Sequence, residues 1–442
     1  MAGGAETTSA GGSETTAEAT TTTAADKCKS EPLQATEVGV SADKITITVM
    51  ADTGSALAPG LFQGNVDALV AFGKFVNANG GIGCRQLEVK TWDSKLDPTE
   101  AKNGDIDACQ NSVAMVGGNA LFNPDVSPIS GCVDKAGKAT GLPDIAALAN
   151  DINEQCNATT YLIQARAEPC TTLTGTRDLI AMVGPTKYYQ TIEPNLHGIF
   201  MVPGDLPTTV ESATYQIAGQ EAAGVKWDAT LKVSGGDSQP SYTPRIAIAA
   251  AAGSTYIYNG SNAKAMWTMR KEANAQGLKS VKVWACSLAC YTPSFIANGG
   301  ADVEGTYVWM QFLPFEEADA NPEASNYVNA VGVDKVDSFG AQAWQAGVLF
   351  KQVIDGIVAK DGPNAITRQA ILDGLAATKD FDANGWATPK DLKGFGNCFM
   401  VMQVKDGKFV RVFPAEKGKF ECSPDNLVTE TIDPAVESQK IK

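Results

Sequence analysis

From residue 44 the chain alternates apolar and polar side chains. Ile45, Ile47 and Val49 enclose Thr46 and Thr48, and Met50 and Ala51 follow, which predicts a strand running into a Thr53-Gly54-Ser55 loop. Val66, Leu69, Val70, Gly73 and Val76 then recur at helical spacing, and Asn79-Gly80-Gly81 supplies a left-handed stop. Leu87, Val89 and Thr91 alternate as a second strand closed by Trp92-Asp93. Asp97-Pro98 sets a capping carboxylate before a proline at the first helical position, predicting a helix to about Cys109. Residues 113–116 form a short apolar run ended by Gly117-Gly118. Strand, helix, strand, helix, strand at these spacings implies a parallel sheet with helices on its faces.

A second unit of the same kind follows an irregular stretch near 160–176. Residues 177–190 are compatible with a helix, 198–202 read as an apolar strand and 206–223 as a helix with Val210, Thr214, Ile217 and Ala218 inward. The apolar run 246–252 reads as a strand, and Ala265, Met266, Met269 and Ala273 mark a helix ended by Gly277. Strands are expected around Val281, Val283 and Trp284 and at 305–310, and a long helix at 342–359 with Leu349, Val353 and Ile357 inward. Residues 398–404 and 408–413 flank Lys405-Asp406-Gly407, a hairpin signal. The pattern is two open α/β units in series, a helical return and a hairpin.

Composition narrows the function. The 442 residues carry 35 basic and 50 acidic side chains, a formal charge of −15, which argues against nucleic-acid binding and electrostatic membrane adhesion. A single histidine excludes every site needing two. The chain has no run approaching the ~18 consecutive apolar residues of a membrane span. Ten dispersed cysteines, even in number and without a CxxC, fit disulfides in an oxidising compartment. Connectivity stays open; the local pairings are Cys286 with Cys290, Cys398 with Cys422, and Cys84 with Cys109. The first 26 residues are low-complexity Ala/Thr/Gly/Ser/Glu, read as a disordered tether.

Several motifs then occur in a telling order: Thr53-Gly54, Gly64, Asn77, Gly80-Gly81-Ile82-Gly83, Asp93, Asp97-Pro98 and Val116-Gly117-Gly118. Later come Gly299-Gly300-Ala301-Asp302-Val303-Glu304-Gly305 and Gln403-Val404-Lys405-Asp406-Gly407-Lys408-Phe409. Over nearly all of 40–415 this resembles the type I periplasmic binding proteins, the solute receptors of ABC importers of the branched-chain amino-acid type. The resemblance implies an α/β fold of two lobes, each a parallel sheet flanked by helices, joined by three hinge crossovers. It places lobe one at 39–165 and 311–385 and lobe two at 166–310 and 386–425. A tether at 1–38 and a C-terminal tail at 426–442 complete the division. It implies capture of a small organic solute by hinge closure and delivery to a permease. The protein is then expected outside the cytoplasm as a monomer, with no cofactor, metal or catalytic residue. Membrane contact is expected only through a lipid anchor lying outside this sequence.

In open α/β sheets ligands bind beyond the carboxyl ends of strands. The candidate ligand-binding residues there are Thr53, Ser55, Asn119, Ala120, Leu121, Phe122, Tyr161, Ser254, Tyr256, Tyr291 and Trp309. Amino-acid receptors of the family use a hydroxyl after the third strand and a lobe-two carboxylate for the ammonium. Here 117–122 has no hydroxyl and 285–300 has no acid. A buried ammonium without a counter-charge costs several kcal/mol. The expected ligand is therefore an apolar, aromatic or alicyclic carboxylate. The alternatives are a branched-chain amino acid held by non-standard contacts, a sensor role, or a cysteine-dependent enzyme. The last would pair His197 with a free thiol at Cys286 or Cys290.

Overall fold

A computed structural model describes residues 27–28 and 31–442, so most of the expected tether (1–26, 29 and 30) lies outside the described residues. The first sheet holds β1 (Lys44–Ala51), β2 (Gln86–Asp93), β3 (Ala114–Val116), β4 (Asp144–Ala146) and β5 (Thr160–Leu162). Their order is β2-β1-β3-β4-β5 and all are parallel. Strand alternation decides which helix covers which face. Ile45, Ile47 and Val49 pack with Leu69, Phe72 and Val76 of the helix Gln63–Ala78 and with Trp344 and Leu349 of the helix Ser338–Asp361. Met50 and Met115 turn the other way, onto Ala101 and Ala108 of the helix Pro98–Asn111. Asp97 caps that helix by accepting from Thr99 N and Glu100 N.

The chain leaves β5 through 163–176 and forms β6 (Arg177–Met182), β7 (His197–Pro203), β8 (Lys226–Val233), β9 (Tyr256–Asn259), β10 (Val283–Cys286) and β11 (Tyr307–Met310). It crosses back at 311–321, adds helices to the first lobe, and returns through 378–397. There it forms β12 (Cys398–Lys405), β13 (Lys408–Phe413), β14 (Glu421–Cys422) and β15 (Leu427–Ile432). The second sheet runs β13-β12-β11-β10-β9-β7-β8 with β14 paired to β12, antiparallel only where β12, β13 and β14 join. This is the two-lobe α/β fold with three crossovers that the sequence implied.

Several local expectations are corrected. Residues 246–252 are not a strand but part of the helix Thr243–Ala252. Its alanine run favours helix, Pro244 sits in its first turn and Gly253 ends it at φ 66°. The lobe-two strands thus include β8 and β9 in its place. Residues 177–182 are strand, and only Gly184–Gln190 is helix. The partner of β6 is β15, far away in sequence, paired from Leu427↔Met182 to Ile432↔Arg177. Residues 426–442 are therefore no tail. The tether also ends earlier than 38: Cys28 is bonded to Cys84, and Arg85 donates to Gln34 O at 3.0 Å. The remaining disulfides are Cys109–Cys132, Cys156–Cys170, Cys286–Cys290 and Cys398–Cys422, so the expected Cys84–Cys109 pair is corrected and the other two local pairs stand.

Beneath the first sheet's loops lies a group of buried acids. Burial pushes Asp144 up to about 7 against a hydrogen bond from Thr160, at 2.9 Å, which pulls it down. Burial, with repulsion from Asp144, Asp105, Asp151 and Asp52, holds Glu154 well above its ordinary range. Burial does the same to Asp105, eased by Asn123 and aggravated by Asp144 and Asp125. Carboxyls raised in the folded state contribute fully below the unfolded value of about 4 and lose that contribution as pH rises through the folded one. The melting temperature is expected to fall between about pH 4 and 7, and Asp144→Asn to flatten that fall. Calorimetry across this window checks it; identical slopes for the variant and the parent would contradict the assignment.

Candidate functional site

The carboxyl ends of the parallel strands in the two sheets face each other across a cavity of about 640 Å³. From the first lobe it is lined by the loop after β1 (57–62), Leu121, residues 148–150 and residues 164–167. From the second it is lined by residues after β7, β9 and β10, among them Asp205, Ser261 and Ser287. Its surface is mainly apolar, with Leu57, Phe62, Leu121, Leu288 and Trp309 contributing.

Two carboxylates set the shape of the first lobe's rim. Asp52, 1% exposed, accepts from Ser94 Oγ at 2.7 Å, Leu96 N at 2.7 Å and Leu121 N at 2.8 Å, tying together the loops after β1, β2 and β3. Burial raises its pKa, and those three bonds oppose the rise. Asp93 accepts from Thr53 N, Gly54 N and Lys95 N at 3.0 to 3.1 Å. Its slight burial works against ionisation, but the backbone bonds prevail and hold it below the usual carboxylate value. Gly54 is required there, because a Cβ would stand 2.2 Å from Asp93 Oδ2.

The two lobes touch at the rim. Thr208 Oγ1, in the first turn of the helix Pro207–Ala222, donates to Leu121 O at 2.7 Å. Gly235 lies so near Leu57 that an added Cβ would come within 2.6 Å of its carbonyl oxygen. The cleft is thus described with its lobes in contact.

The charged residues on the cavity wall are Arg166, Lys264, Asp205 and Asp337. Asp205 accepts from Gly235 N at 2.8 Å, and Asp337 caps a helix by accepting from Gly340 N at 2.6 Å. Burial pushes Asp337 up to about 6 against its backbone bonds. Lys264 Nζ donates to Gly235 O at 2.9 Å. Arg166 differs from these. Its guanidinium lies 5.6 Å from the Phe395 ring centroid and Nη1 donates to Cys170 Sγ at 3.4 Å. Its buried Nε has no partner, and no carboxylate pairs with it among the described residues. Burial pulls its pKa down, as expected of a cation lacking a counter-ion.

Of the residues expected from sequence, Leu121 and Trp309 line the cavity. Thr53, Ser55, Asn119, Ala120 and Phe122 share the same loops but lie off the lining. Ser55 Oγ accepts from Leu57 N, Ala120 packs with Met50 and Ile129, and Asn119 is buried beside Ala51. Tyr161 is buried under Lys393, 4.5 Å from its ring centroid. Tyr291 is buried against Phe315 and donates to Glu316, a core position. Ser254 and Tyr256 sit where β9 begins, the end remote from the cleft, because the strand expected at 246–252 is a helix and the true strand follows it. Ser254 Oγ bonds Asp228 at 2.6 Å, which also meets His197 at 2.9 Å, so the histidine is at that remote end as well. Cys286 and Cys290 are bonded to each other. Sequence reasoning missed Arg166; a basic residue immediately after the expected lobe-one boundary at 165 was the available signal.

The family model described as periplasmic binding protein matches residues 44–408. No curated protein matches the chain. Among solved structures, it is similar to a leucine-binding protein from Thermotoga maritima, at 15% identity and TM-score 0.65, over 86% of this chain and 99% of that one. A fatty acid ABC transporter substrate-binding protein from Thermomonospora curvata matches at 16% identity and TM-score 0.64, over 86% and 97%. An ABC transporter substrate-binding protein from Aeropyrum pernix matches at 11% identity and TM-score 0.66, over 90% and 100%. With two facing α/β lobes, a cleft at their strand ends and a match over most of its length, the chain belongs to the periplasmic binding protein family.

Proposed function

We propose that this protein is the solute receptor of an ABC importer and that its solute is an apolar, aromatic or alicyclic carboxylate. The observation that carries the ligand class is Arg166, a cation without a carboxylate partner on a mainly apolar cavity wall. A ligand carboxylate supplies the missing counter-charge, and the remaining surface rewards apolar atoms. Asp205 and Asp337 each commit an oxygen to backbone N–H groups, which leaves a ligand ammonium poorly served. Of the similar proteins, one is named for fatty acids, which are apolar carboxylates of the class proposed here, and one for leucine, which shares the carboxylate and an apolar side chain but adds an ammonium. The low-complexity N-terminal sequence and five disulfides support an extracytoplasmic location with a tether to the membrane surface. Closure of the lobes around the solute forms the surface presented to the permease.

A thermal-shift screen of aromatic acids, alicyclic acids, fatty acids and leucine tests the ligand class. Stabilisation by acids without an amino group is expected; stabilisation by leucine alone would contradict it. Arg166→Gln is expected to weaken binding of the best acid about 10- to 100-fold, the worth of a charge-assisted hydrogen bond, and to leave the corresponding primary amide unaffected. Calorimetric titration of both compounds checks this. Thr208→Val removes the rim bond to Leu121 O and is expected to lower affinity about fivefold through a faster off-rate, with an unchanged melting temperature for the ligand-free protein. Stopped-flow release of the bound acid checks it.

A further inference from the structure

The cavity does not end at the cleft. Thr209, Ser212, Ala213, Gln216 and Gln220 line an arm of it. These positions recur three or four apart and so form one face of the helix Pro207–Ala222. From 209 to 220 that face runs about 16 Å into lobe two. The cavity is also lined there by Ile180, Ala181 and Met182 of β6 and Leu427 of β15, all apolar. No charged side chain lies among these residues, so a charged group entering the arm would be unmatched.

The far end carries uncommitted polar groups. Tyr189 and Tyr258 line the cavity together with Gln220. Their rings flank that of Tyr256, at 6.1 and 6.3 Å. Tyr189 is fully buried and its hydroxyl has no partner among the described residues. Tyr258 Oη accepts from Trp309 Nε1 at 3.2 Å, and its own proton meets no acceptor among the described residues. Gln220 spends its carbonyl on Tyr256 Oη at 2.9 Å, and its amide N–H groups meet no acceptor among the described residues. Buried donors left without acceptors are costly unless something supplies one.

We infer that the arm is a specificity subsite for the distal end of the solute: the ligand is an elongated carboxylate bearing a neutral oxygen acceptor, a hydroxyl or carbonyl, at the end remote from the carboxylate. This rests on the carboxylate reading of Arg166. The test is calorimetric titration with cyclohexanecarboxylate, 4-phenylbutanoate and 4-(4-hydroxyphenyl)butanoate. The hydroxylated acid is expected to bind about tenfold more tightly than its parent, and Tyr189→Phe to remove that preference while leaving 4-phenylbutanoate unchanged. Ala213→Phe, which fills the arm, is expected to abolish binding of both long acids and to spare cyclohexanecarboxylate. Circular dichroism confirms that both variants fold. Equal affinities for the two long acids, or full binding of them by Ala213→Phe, would overturn the arm while leaving the carboxylate reading intact. No binding of any acid by the parent protein would overturn both.

Discussion

The site depends on one buried carboxylate. Asp52 draws the loops after three parallel strands onto its two oxygens, and Leu121 is among the groups it holds. Leu121 lines the cavity with its side chain and offers its carbonyl to Thr208 of the opposite lobe. The same residue therefore shapes the lobe-one wall and meets the other lobe across the rim. Placing the carboxylate beneath the loops, with hydrogen bonds from two backbone N–H groups and a hydroxyl, compensates its desolvation and fixes their geometry.

None of the disulfides among the described residues ties one lobe to the other. Cys28–Cys84 and Cys109–Cys132 lie within lobe one, and Cys286–Cys290 and Cys398–Cys422 within lobe two. Cys156–Cys170 is different, since it fastens the start of the first crossover to lobe one. Arg166 sits inside the loop this bridge closes and contacts Cys170. The cation is thereby held to lobe one. Preorganising the charged contact in this way reduces the ordering cost of binding.

Fold and site differed in how far they could be read from the sequence. The first lobe was legible because its strands alternate cleanly and its helices carry local stops, such as Asp97-Pro98 and Asn79-Gly80-Gly81. The run at 246–252 was not, since a short apolar stretch has no period that separates strand from buried helix. That one substitution of element moved the strand ends of lobe two, and with them Ser254 and Tyr256. β6 and β15 were missed because each is stabilised by a partner far along the chain rather than by its own pattern. Arg166 and the arm along Pro207–Ala222 arise where separate segments meet, which no local spacing encodes.

The central claim is that an apolar carboxylate draws the two lobes together around Arg166 and Leu121. Small-angle X-ray scattering of the protein, with and without a saturating acid identified by thermal shift, tests it most directly. A decrease in radius of gyration on adding the acid, reached by Arg166→Gln only at about 10- to 100-fold higher acid concentration, is the predicted result. Saturating binding with no change in the scattering profile would contradict capture by closure.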